Sequence, residues 1–471
     1  MTSNFITLQD NFSISVRLTS DRTEQTPCLA WKVRNIASQC SDCACYLGGL
    51  SPVIQGFHLT TPVFYALELT PVCNNRCLGC SNVFIVQQEK TTRQGQNRNN
   101  PLDANNWRAV LDCIAPYAYS LKVTGGEPTL HPQFQEIILD IDKRGIPYTV
   151  FTNGRWQNPR ELIDLLKSVS NCTGLLISLH GATPEAHEAF SGVPGSFEET
   201  IHNIRLAVDS GLTVVTSTVI TSHNWDEIET IADLAKDLGA DHAVFSRYSG
   251  PCLPLVEPTD EQLTEAVTTV VRLQEEGKRI KFGNCIPQCF VPNSSTGCLA
   301  GVAYCAVDPW GNLRPCTHDD LVCANLLEHS VEEIWHGSAM EKWRSAVPEE
   351  CSICSALPKC NAGCRAMARQ TKHGKDPLSK KPLAMQEWPQ KTRTLILYES
   401  SHPLRNWALR AETFGYVLVK GDRILPVRKD KKSLLDACDG QRTLLEIKAA
   451  FGPEGLSFVG ALYALDFVEL I

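Results

Sequence analysis

The chain has 471 residues, of which 43% are hydrophobic and 20% charged, and its formal net charge is −8. This length exceeds what one hydrophobic core usually organises, so two to four globular domains are expected. The acidic balance argues against a nucleic-acid partner, and the sequence contains no apolar stretch of about 18 residues that would predict a membrane span. The first residues, MTSNFITLQD, lack the features of a signal peptide, which predicts a cytoplasmic protein.

The 21 cysteines are the most informative part of the composition. In a reducing compartment, clustered cysteines more often bind metal or take part in chemistry than form disulfides. Residues 1–60 are predicted to be an irregular N-terminal extension. Four of the cysteines lie in it, and they either bind a metal or are free thiols: Cys28, Cys40, Cys43 and Cys45.

Six strand-like runs alternate with helical segments from about residue 63. They span residues 63–70, 120–125, 148–154, 174–181, 213–220 and 241–248. Before the last of them, apolar residues recur at helical spacing from Trp225 to Leu238, and Gly239 follows directly, which predicts a helix ending there. Strands that alternate with helices predict a parallel sheet, and six are fewer than the eight of a closed barrel. We therefore expect an α/β fold with a partial (β/α)6 TIM-type barrel and an active site at the C-terminal strand ends.

A segment with three cysteines, CNNRCLGC, directly follows the first of these strands. Its proline, asparagine and glycine neighbours indicate a loop rather than a helix. Thiolates on a loop suit zinc or an iron–sulfur cluster. Cys73, Cys77 and Cys80 offer three ligands, so a four-iron cluster bound by them would keep one iron open to a substrate.

These cysteines resemble the CxxxCxxC motif of the radical S-adenosylmethionine enzymes. GGEP at residues 125–128, after the second strand, resembles the second motif of that family, and the resemblance covers about residues 63–285. It implies that the three cysteines hold a [4Fe–4S] cluster whose open iron binds the amino and carboxylate groups of S-adenosylmethionine. It also implies a set of residues that line the cofactor pocket: Gly125, Gly126, Glu127, Asn153 and Ser178.

The chemistry that this resemblance implies is reductive cleavage of S-adenosylmethionine to a 5′-deoxyadenosyl radical, which abstracts a hydrogen atom from the substrate. One position departs from the family pattern, because many relatives carry arginine before the glycine at 192 and this chain has Ser191. Arg155 and Arg205 are the candidates to hold the carboxylate instead. The alternative interpretation is a zinc loop completed by a residue such as His131.

A second cysteine array, over residues 298–364, resembles the SPASM extension of peptide-modifying radical enzymes. The resemblance implies two auxiliary iron–sulfur clusters, the first held by Cys298, Cys316 and Cys364 and the second by Cys351, Cys354 and Cys360. Cys305 is well placed to be the fourth ligand of the first cluster. The final cysteine that the family usually has after these is missing. The second cluster is then three-coordinate or takes Cys323 or Asp376, and Cys285 and Cys289 are further candidates. Structural zinc is the alternative for the array.

The last part of the chain is predicted to be a small separate domain. Residues 371–393 carry several lysines and prolines and are predicted to be solvated, with a linker at 386–399. In GYVLVKGDRILPV we expect a hairpin that turns near Gly421, and TLLE at 443–446 is a capping box. The apolar pattern of residues 400–471 resembles PqqD-like peptide recognition domains, which implies a small winged-helix fold.

The predicted organisation is an extension at 1–60, a radical S-adenosylmethionine core at 61–285, a SPASM domain at 286–385, a linker at 386–399 and a PqqD-like domain at 400–471. Together the resemblances imply an enzyme that modifies residues of a ribosomally made precursor peptide, binds its leader and receives electrons from a donor such as flavodoxin or ferredoxin. One alternative is an enzyme of the sulfatase-maturing type, although Thr317 stands where those relatives often carry an acid; Asp319 or Asp320 would have to substitute. The other is a non-enzymatic iron–sulfur or zinc protein.

Overall fold

The computed structural model describes residues 12–20, 58–84, 100–292, 294, 297–371, 374–382 and 391–471. The strands are β1 Phe12–Thr19, β2 Phe64–Glu68, β3 Ser120–Thr124, β4 Tyr148–Thr152, β5 Cys172–Ser178, β6 Val214–Ile220, β7 His242–Arg247, β8 Ile280–Phe282, β9 Tyr304–Val307, β10 Asn312–Arg314, β11 Ala324–Asn325, β12 Lys391–Tyr398, β13 Pro403–Arg405, β14 Ala408–Glu412, β15 Gly415–Lys420, β16 Arg423–Arg428 and β17 Val468–Leu470.

The α-helices are α1 Ala104–Ile114, α2 Phe134–Lys143, α3 Pro159–Ser168, α4 Pro184–Ser191, α5 Ser196–Asp209, α6 Ile228–Asp237, α7 Asp260–Glu275, α8 Val331–Trp335, α9 Ser338–Ser345, α10 Glu349–Ser352, α11 Leu357–Cys360, α12 Arg365–Gln370, α13 Lys432–Asp436 and α14 Leu444–Ala464. Short 3₁₀ helices occupy Pro128–Leu130 and Lys429–Lys431. Of the helices in this part of the chain, none combines the length and apolar character needed to cross a bilayer.

A ten-stranded sheet is the centre of the molecule, with the spatial order β11-β10-β9-β2-β3-β4-β5-β6-β7-β8. Strands β2 to β8 run parallel to their neighbours, so the six predicted strands and their parallel arrangement are confirmed. The predicted helix near 224–239 is also present as α6, and Gly239 follows it with a φ of +80°. The parallel order brings the C-terminal ends of all these strands to one edge of the sheet.

The two faces of the sheet have different roles. In β3, Leu121 and Val123 are buried in the core with residues of α1 and α2, whereas Lys122 and Thr124 point to the other face and are partly exposed. The same alternation recurs in β4 and β6. Since successive side chains of a strand point to opposite faces, the helices cover the outer face and the inner face lines a chamber.

The sheet is larger than the six strands predicted from the sequence. β8 adds a parallel strand at one edge, and β9 pairs parallel with β2 at the other. The antiparallel strands β10 and β11 follow β9. The cysteine-rich region therefore contributes strands to the same sheet as the barrel, which places its cysteines beside the chamber.

The final part of the chain contains the predicted hairpin, formed by β15 and β16 with Gly421 in the turn at a φ of +58°. The predicted capping box is present at the start of α14, where Thr443 and Glu446 cap each other's backbone. Helix α14 is interrupted at Gly452, which has non-helical backbone angles and precedes Pro453. The sheet β14-β15-β16 is thus followed by the 3₁₀ helix Lys429–Lys431, by α13 and by the two parts of α14.

Two predictions about irregular segments are wrong. Residues 12–19, inside the predicted irregular extension, form β1, and residues 391–398, inside the predicted linker, form β12. The two strands pair in parallel along their whole length, Phe12 with Lys391 to Thr19 with Tyr398. Leu395 and Leu397 are buried in the core of the final unit, which makes β12 part of that unit rather than a tether. The four N-terminal cysteines at 28, 40, 43 and 45 lie outside the described residues.

The final unit packs against the end of the barrel where the strands begin. Val417 and Val419 share a buried cluster with Leu59, Val63 and Phe64, which precede or start β2. Polar contacts reinforce this cluster, because the guanidinium of Arg410 donates to the Thr61 carbonyl at 3.1 Å and to the hydroxyls of Thr60 and Thr61 at 2.7 and 2.8 Å. The unit therefore lies opposite the C-terminal strand ends.

The contact between the two units should depend on Arg410. Its Nε lies 3.0 Å from a carboxylate oxygen of Glu412, whose side chain is fully buried. Arg410→Met leaves that carboxylate buried without its cation, which typically costs about 3–5 kcal/mol. Denaturant unfolding of the full chain should show this loss.

The matched control is Arg428→Met, which removes a surface ion pair with Asp430. Such exposed pairs contribute at most about 1 kcal/mol. Equal destabilisation by both substitutions would contradict the role assigned to Arg410.

Candidate active site

The loop after β2 brings its three cysteines together. The thiol of Cys77 lies close enough to those of Cys80 and Cys73 to interact with them electrostatically, and Cys80 interacts with Cys73 in the same way. Burial raises the pKa of all three thiols, and the proximity of the others adds to the rise at Cys73 and Cys77. The Asn75 backbone N–H and the Asn153 amide donate to the Cys73 sulfur at 3.4 and 3.7 Å, and both contacts favour the thiolate.

Arg155 holds the cysteine loop in place. Its Nη1 donates to the Asn74 carbonyl at 2.8 Å and to the Asn75 side chain at 2.9 Å, while its Nε donates to Glu199 on α5 at 2.8 Å. Asn153 adds a bond from its amide to the Asn74 side chain at 2.6 Å. Arg205, the other candidate for a carboxylate contact, is exposed on α5. Of the two arginines, only Arg155 contacts the loop.

The GGEP segment continues the pairing between β2 and β3 beyond the ends of both strands. The Gly126 N–H donates to the Thr70 carbonyl at 2.6 Å, and the Glu127 N–H donates to the Val72 carbonyl at 2.7 Å. A Cβ atom on Gly126 would overlap the Val72 carbonyl, and Gly125 has a φ of +145°. Because only glycine tolerates both conditions, the two glycines allow this segment to lie directly against the cysteine loop.

The Glu127 carboxylate is buried and fully engaged within the protein. It accepts from the hydroxyls of Thr129 and Thr152 at 2.7 and 2.8 Å and from the Asn153 N–H at 2.8 Å. Burial raises its pKa, and these hydrogen bonds oppose the rise. The side chain thus ties GGEP to the end of β4, so that the backbone rather than the carboxylate of this residue remains for a ligand.

Ser178 ends β5 on the chamber side, where it pairs in register with Ser217 of β6. Apolar side chains cover the cysteine loop nearby, since Phe190, Tyr248 and Val256 form a buried cluster against Cys77. A Cβ on Gly79 would overlap the Tyr248 ring, so glycine permits this close cover. The predicted residues 125–127, Asn153 and Ser178 therefore all lie at the C-terminal ends of β3, β4 and β5, and residues 125–127 and Asn153 contact the cysteine loop.

Charged residues inside the chamber were not found by sequence reasoning. The Lys122 ammonium lies 5.6 and 5.4 Å from the ring centres of Phe151 and Tyr304. Glu68, at the end of β2, forms a buried ion pair with Arg314, and burial raises the Glu68 pKa to about 7 despite that partner. A lysine between two apolar residues of a strand, as in SLKVTG, is the sequence signal that would have identified Lys122 as chamber-facing.

His131 does not complete a metal site with the cysteine loop. Its Nε2 lies 2.9 Å from the Leu102 carbonyl, and its Nδ1 accepts from the Gln133 N–H at 3.1 Å. Both ring nitrogens are therefore occupied by structural contacts. Within the described parts of the chain, no three His, Cys, Asp or Glu side chains lie close enough together to share a single metal ion.

One group in the cysteine-rich region consists of Cys285, Cys298, Cys316 and Cys364. The Cys285 thiol interacts directly with both Cys298 and Cys364, and this contact lowers the pKa of the latter two and raises that of Cys285. Cys316 has Cys298 and Cys364 as its charge neighbours. Sequence reasoning placed Cys305 rather than Cys285 in this group.

The structure gives Cys305 different neighbours. It lies on β9 beside Tyr65 in a fully buried position, and its charge neighbour is Cys323. Because side chains alternate along a strand, Tyr304 faces the chamber and Cys305 faces the opposite way. These contacts show that the prediction of Cys305 as the fourth ligand is wrong. The sequence feature that pointed to Cys285 was the segment CIPQC, which precedes the array.

Asp376 is also committed elsewhere. Its two carboxylate oxygens pair with Arg247 of β7 at 2.8 and 2.7 Å, and they accept from the N–H groups of Cys364 and Leu378 at 2.7 and 3.0 Å. The pair is buried. It links the barrel to the cysteine-rich region and leaves no role for Asp376 as a metal ligand.

The chain matches two family models. Residues 67–235 match the radical SAM superfamily, where SAM is S-adenosylmethionine, and residues 298–361 match SPASM, an iron–sulfur cluster-binding domain. The chain is similar to the AdoMet-dependent heme synthase of Methanosarcina barkeri, with 27% identity over 65% of this chain and 92% of that protein. It is likewise similar to the mycofactocin maturase MftC of Mycobacterium ulcerans, with 26% identity over 65% and 84%.

Solved structures agree with this fold. SuiB of Streptococcus suis bound to its precursor peptide SuiA has a TM-score of 0.55 and 16% identity, and the match covers 70% of this chain and 77% of SuiB. At this level of identity the likeness concerns the fold alone.

The two arginine candidates can be separated by substitution. Arg155→Met should release the cysteine loop, so that a chelator removes the loop's iron at least several-fold faster while the SPASM iron is retained. Arg205→Met should resemble the parent protein, because Arg205 is exposed on α5. The measurement is chelator-dependent bleaching of the anaerobically purified protein, together with equilibrium binding of SAM. Weakened SAM binding with unchanged bleaching would instead identify Arg155 as a direct cofactor contact.

Proposed function

We propose that this radical SAM enzyme, which joins a radical SAM core to a SPASM domain, modifies residues of a ribosomally made precursor peptide. The observation that carries the proposal is the contact between the three-cysteine loop and the GGEP backbone at the chamber mouth. The similarity to the PqqA peptide cyclase of Ruegeria pomeroyi, whose name states a peptide substrate, supports the substrate class. We expect an external one-electron donor such as flavodoxin or ferredoxin.

The residues present fit the cofactors that this family uses. Cys73, Cys77 and Cys80 would hold the [4Fe–4S] cluster, and they are thiols on one loop with N–H donors directed at the Cys73 sulfur. The glycines of GGEP leave backbone, without side chains, beside that loop. Cys285, Cys298, Cys316 and Cys364 form a four-thiol set that would hold the first auxiliary cluster.

The cluster and SAM, when bound, supply electron transfer and the 5′-deoxyadenosyl radical that abstracts a hydrogen atom. The chain's own residues would bind and orient the cluster, SAM and the peptide and enclose them in the chamber. The backbone of residues 125–127 would contact the methionine part of SAM, and Asn153 and Ser178 would line the same pocket. Phe190 and Tyr248 cover the loop and exclude water. Lys122 would present a cation to a carbonyl or carboxylate of the peptide inside the chamber.

Removal of the loop cysteines tests the core assignment. The triple variant Cys73→Ala, Cys77→Ala, Cys80→Ala should lose one cluster's worth of iron and sulfide and all formation of 5′-deoxyadenosine. The SPASM iron should remain, because those cysteines form separate groups. Iron and sulfide analysis with chromatography of reduced reaction mixtures gives both readouts. Continued formation of 5′-deoxyadenosine would contradict the assignment.

The final unit is proposed to be the leader-binding, PqqD-like domain. Its sheet has the order β14-β15-β16, and in the described residues no strand pairs with the outer edge of β16. Lys420 and Arg423 flank a two-residue turn and form a hydrogen-bonded pair, so alternate residues from Ile424 onward direct their backbone groups outward. Pro426, which has no N–H, occupies one of these outward positions, as expected for an edge strand. A leader peptide can add to such an edge as a further strand.

The position of this unit constrains the peptide. The unit packs at the end where the barrel strands begin, and the chemistry takes place at the other end. A leader bound at β16 must therefore pass along the barrel before its core segment enters the chamber. Since β2 has five residues and an extended residue spans about 3.4 Å, at least about five peptide residues are needed to cover the strand length alone.

A substitution on β16 tests leader binding without cutting the chain. Cutting near residue 393 would divide β12, so it is unsuitable. Ile424→Pro removes an outward N–H and should weaken leader binding about tenfold or more, whereas Ile424→Ala keeps the N–H and serves as the control. Fluorescence anisotropy of a labelled leader from a neighbouring open reading frame measures the affinity. SAM cleavage should be unchanged in both variants, and equal affinities would show that recognition lies elsewhere.

A second candidate substrate class comes from the Methanosarcina relative, because the match covers 92% of that heme synthase. Turnover of a heme precursor, with no modification of a co-expressed neighbouring peptide, would favour it. The sulfatase-maturing alternative is weaker. Asp319 is buried, accepts from the Leu321 N–H at 2.9 Å and pairs with Arg369 at 3.0 Å, so it does not replace the acid missing at Thr317.

A further inference from the structure

Cys351, Cys354 and Cys360 of the array have several candidate fourth partners in the sequence but no assigned one, since the next cysteine after Cys364 is Cys438. In the structure, Cys289 joins Cys351, Cys354 and Cys360 around one cavity. We infer that Cys289 is the fourth protein ligand of the second auxiliary cluster, in place of the missing cysteine. The ligand would thus come from a position before the array instead of after it.

The cavity has the chemical character of a cluster site. Apart from the four thiols, its wall is formed by four apolar residues and three polar ones: Ala356, Leu357, Ala362, Pro382, Glu350, Ser379 and Lys380. The Glu350 carboxylate is paired with the Lys375 ammonium at 2.8 Å. The Cys289 thiol lies close enough to each of the other three thiols, those of Cys351, Cys354 and Cys360, to interact with them electrostatically. Thiolates within a largely apolar wall are the donor set that iron–sulfur clusters use.

Hydrogen-bond donors point at these sulfurs. The Lys380 N–H donates to the Cys289 sulfur at 3.1 Å. Backbone N–H groups of Gln288 and Gly363 interact with the Cys360 sulfur in the same way and favour its thiolate. N–H donors to ligating sulfurs stabilise the negative charge of a bound cluster. Cys289 thus shares with Cys360 the environment expected of a ligand.

The other candidates for the fourth ligand are excluded by their contacts. Cys323 neighbours Cys305 at the opposite edge of the sheet, where its N–H donates to the Leu313 carbonyl at 2.9 Å. Asp376 uses both carboxylate oxygens for Arg247 and two backbone N–H groups. Neither side chain lines the cavity.

Two short segments then connect the two auxiliary sites. Residues 285–289 begin with a cysteine of the first group and end with one of the second, and residues 360–364 run from the second group to the first. Each segment has three residues between its cysteines. Such a double connection fixes the separation of the two clusters, which suits electron transfer between them.

The experiment uses the full chain carrying the three loop substitutions at 73, 77 and 80, so that all iron belongs to the auxiliary sites. Cys289→Ala is compared with Cys323→Ala as the rival ligand and with Cys252→Ala as an exposed control. The readouts are iron, sulfide and zinc content, and the electron paramagnetic resonance spectrum of the reduced protein with and without imidazole.

We expect Cys289→Ala to lose one cluster's worth of iron and sulfide, or to retain it with a new spectrum that shifts when imidazole binds the exposed iron. The parent and both control variants should not respond to imidazole. Identical metal content and spectra in Cys289→Ala and its parent would overturn the inference. Zinc without sulfide at the second site of the parent would overturn it as well.

If Cys289→Ala loses all iron, Cys289→Ser decides, since serine offers an oxygen ligand of similar size. Retained iron with an altered spectrum supports ligation by residue 289. Retained iron with an unaltered spectrum overturns it. None of these readouts depends on the peptide substrate, so the result is independent of the proposed function.

Discussion

The main-chain contact between residues 70–72 and residues 125–127 is the constraint on which the site depends. Two hydrogen bonds, from Gly126 to Thr70 and from Glu127 to Val72, extend the pairing of β2 and β3 to the start of the cysteine loop. Only glycine fits at 126, and the buried Glu127 carboxylate anchors the segment to the end of β4. The cysteine loop is therefore held at its base by sheet hydrogen bonds and at residues 74 and 75 by Arg155. A loop held at both places can present three thiols without a fourth protein ligand.

A second constraint holds the cysteine-rich region beside the chamber. The buried pair of Arg247 and Asp376 joins the end of β7 to the N–H of Cys364, while β9 pairs with β2 at the other side of the sheet. Breaking one partner of such a buried pair usually costs about 3–5 kcal/mol, because the other charge remains buried. The auxiliary cysteines are thus attached to the barrel at two separate edges, and Lys122 lies close enough to Cys298 for its charge to favour the thiolate.

Much of the fold was predictable because it depends on local pattern. The six parallel strands, helix α6, the β15–β16 hairpin and the Thr443 capping box all follow from spacing and turn residues within short windows. What was missed depends on pairing across long sequence distances. Phe12 of β1 pairs with Lys391 of β12, which lies 379 positions later in the sequence. Likewise, Phe64 of β2 pairs with Tyr304 of β9. Neither strand carries a turn signal that would identify its partner.

For the cysteine ligands, too, the sequence gives the spacing of the residues but not the direction in which their side chains point. Motif spacing identified the cysteines of the array, but it does not give the direction of a side chain. Cys305 lies near Cys298 in sequence, yet its place on β9 directs it away from the chamber, and the less regular segment 285–289 reaches both groups instead. Cys285 and Cys289 are four residues apart and serve different groups, which a segment without regular secondary structure allows. A segment before the array thus supplies the fourth thiol of the second site, which the resemblance to SPASM domains would place after Cys364.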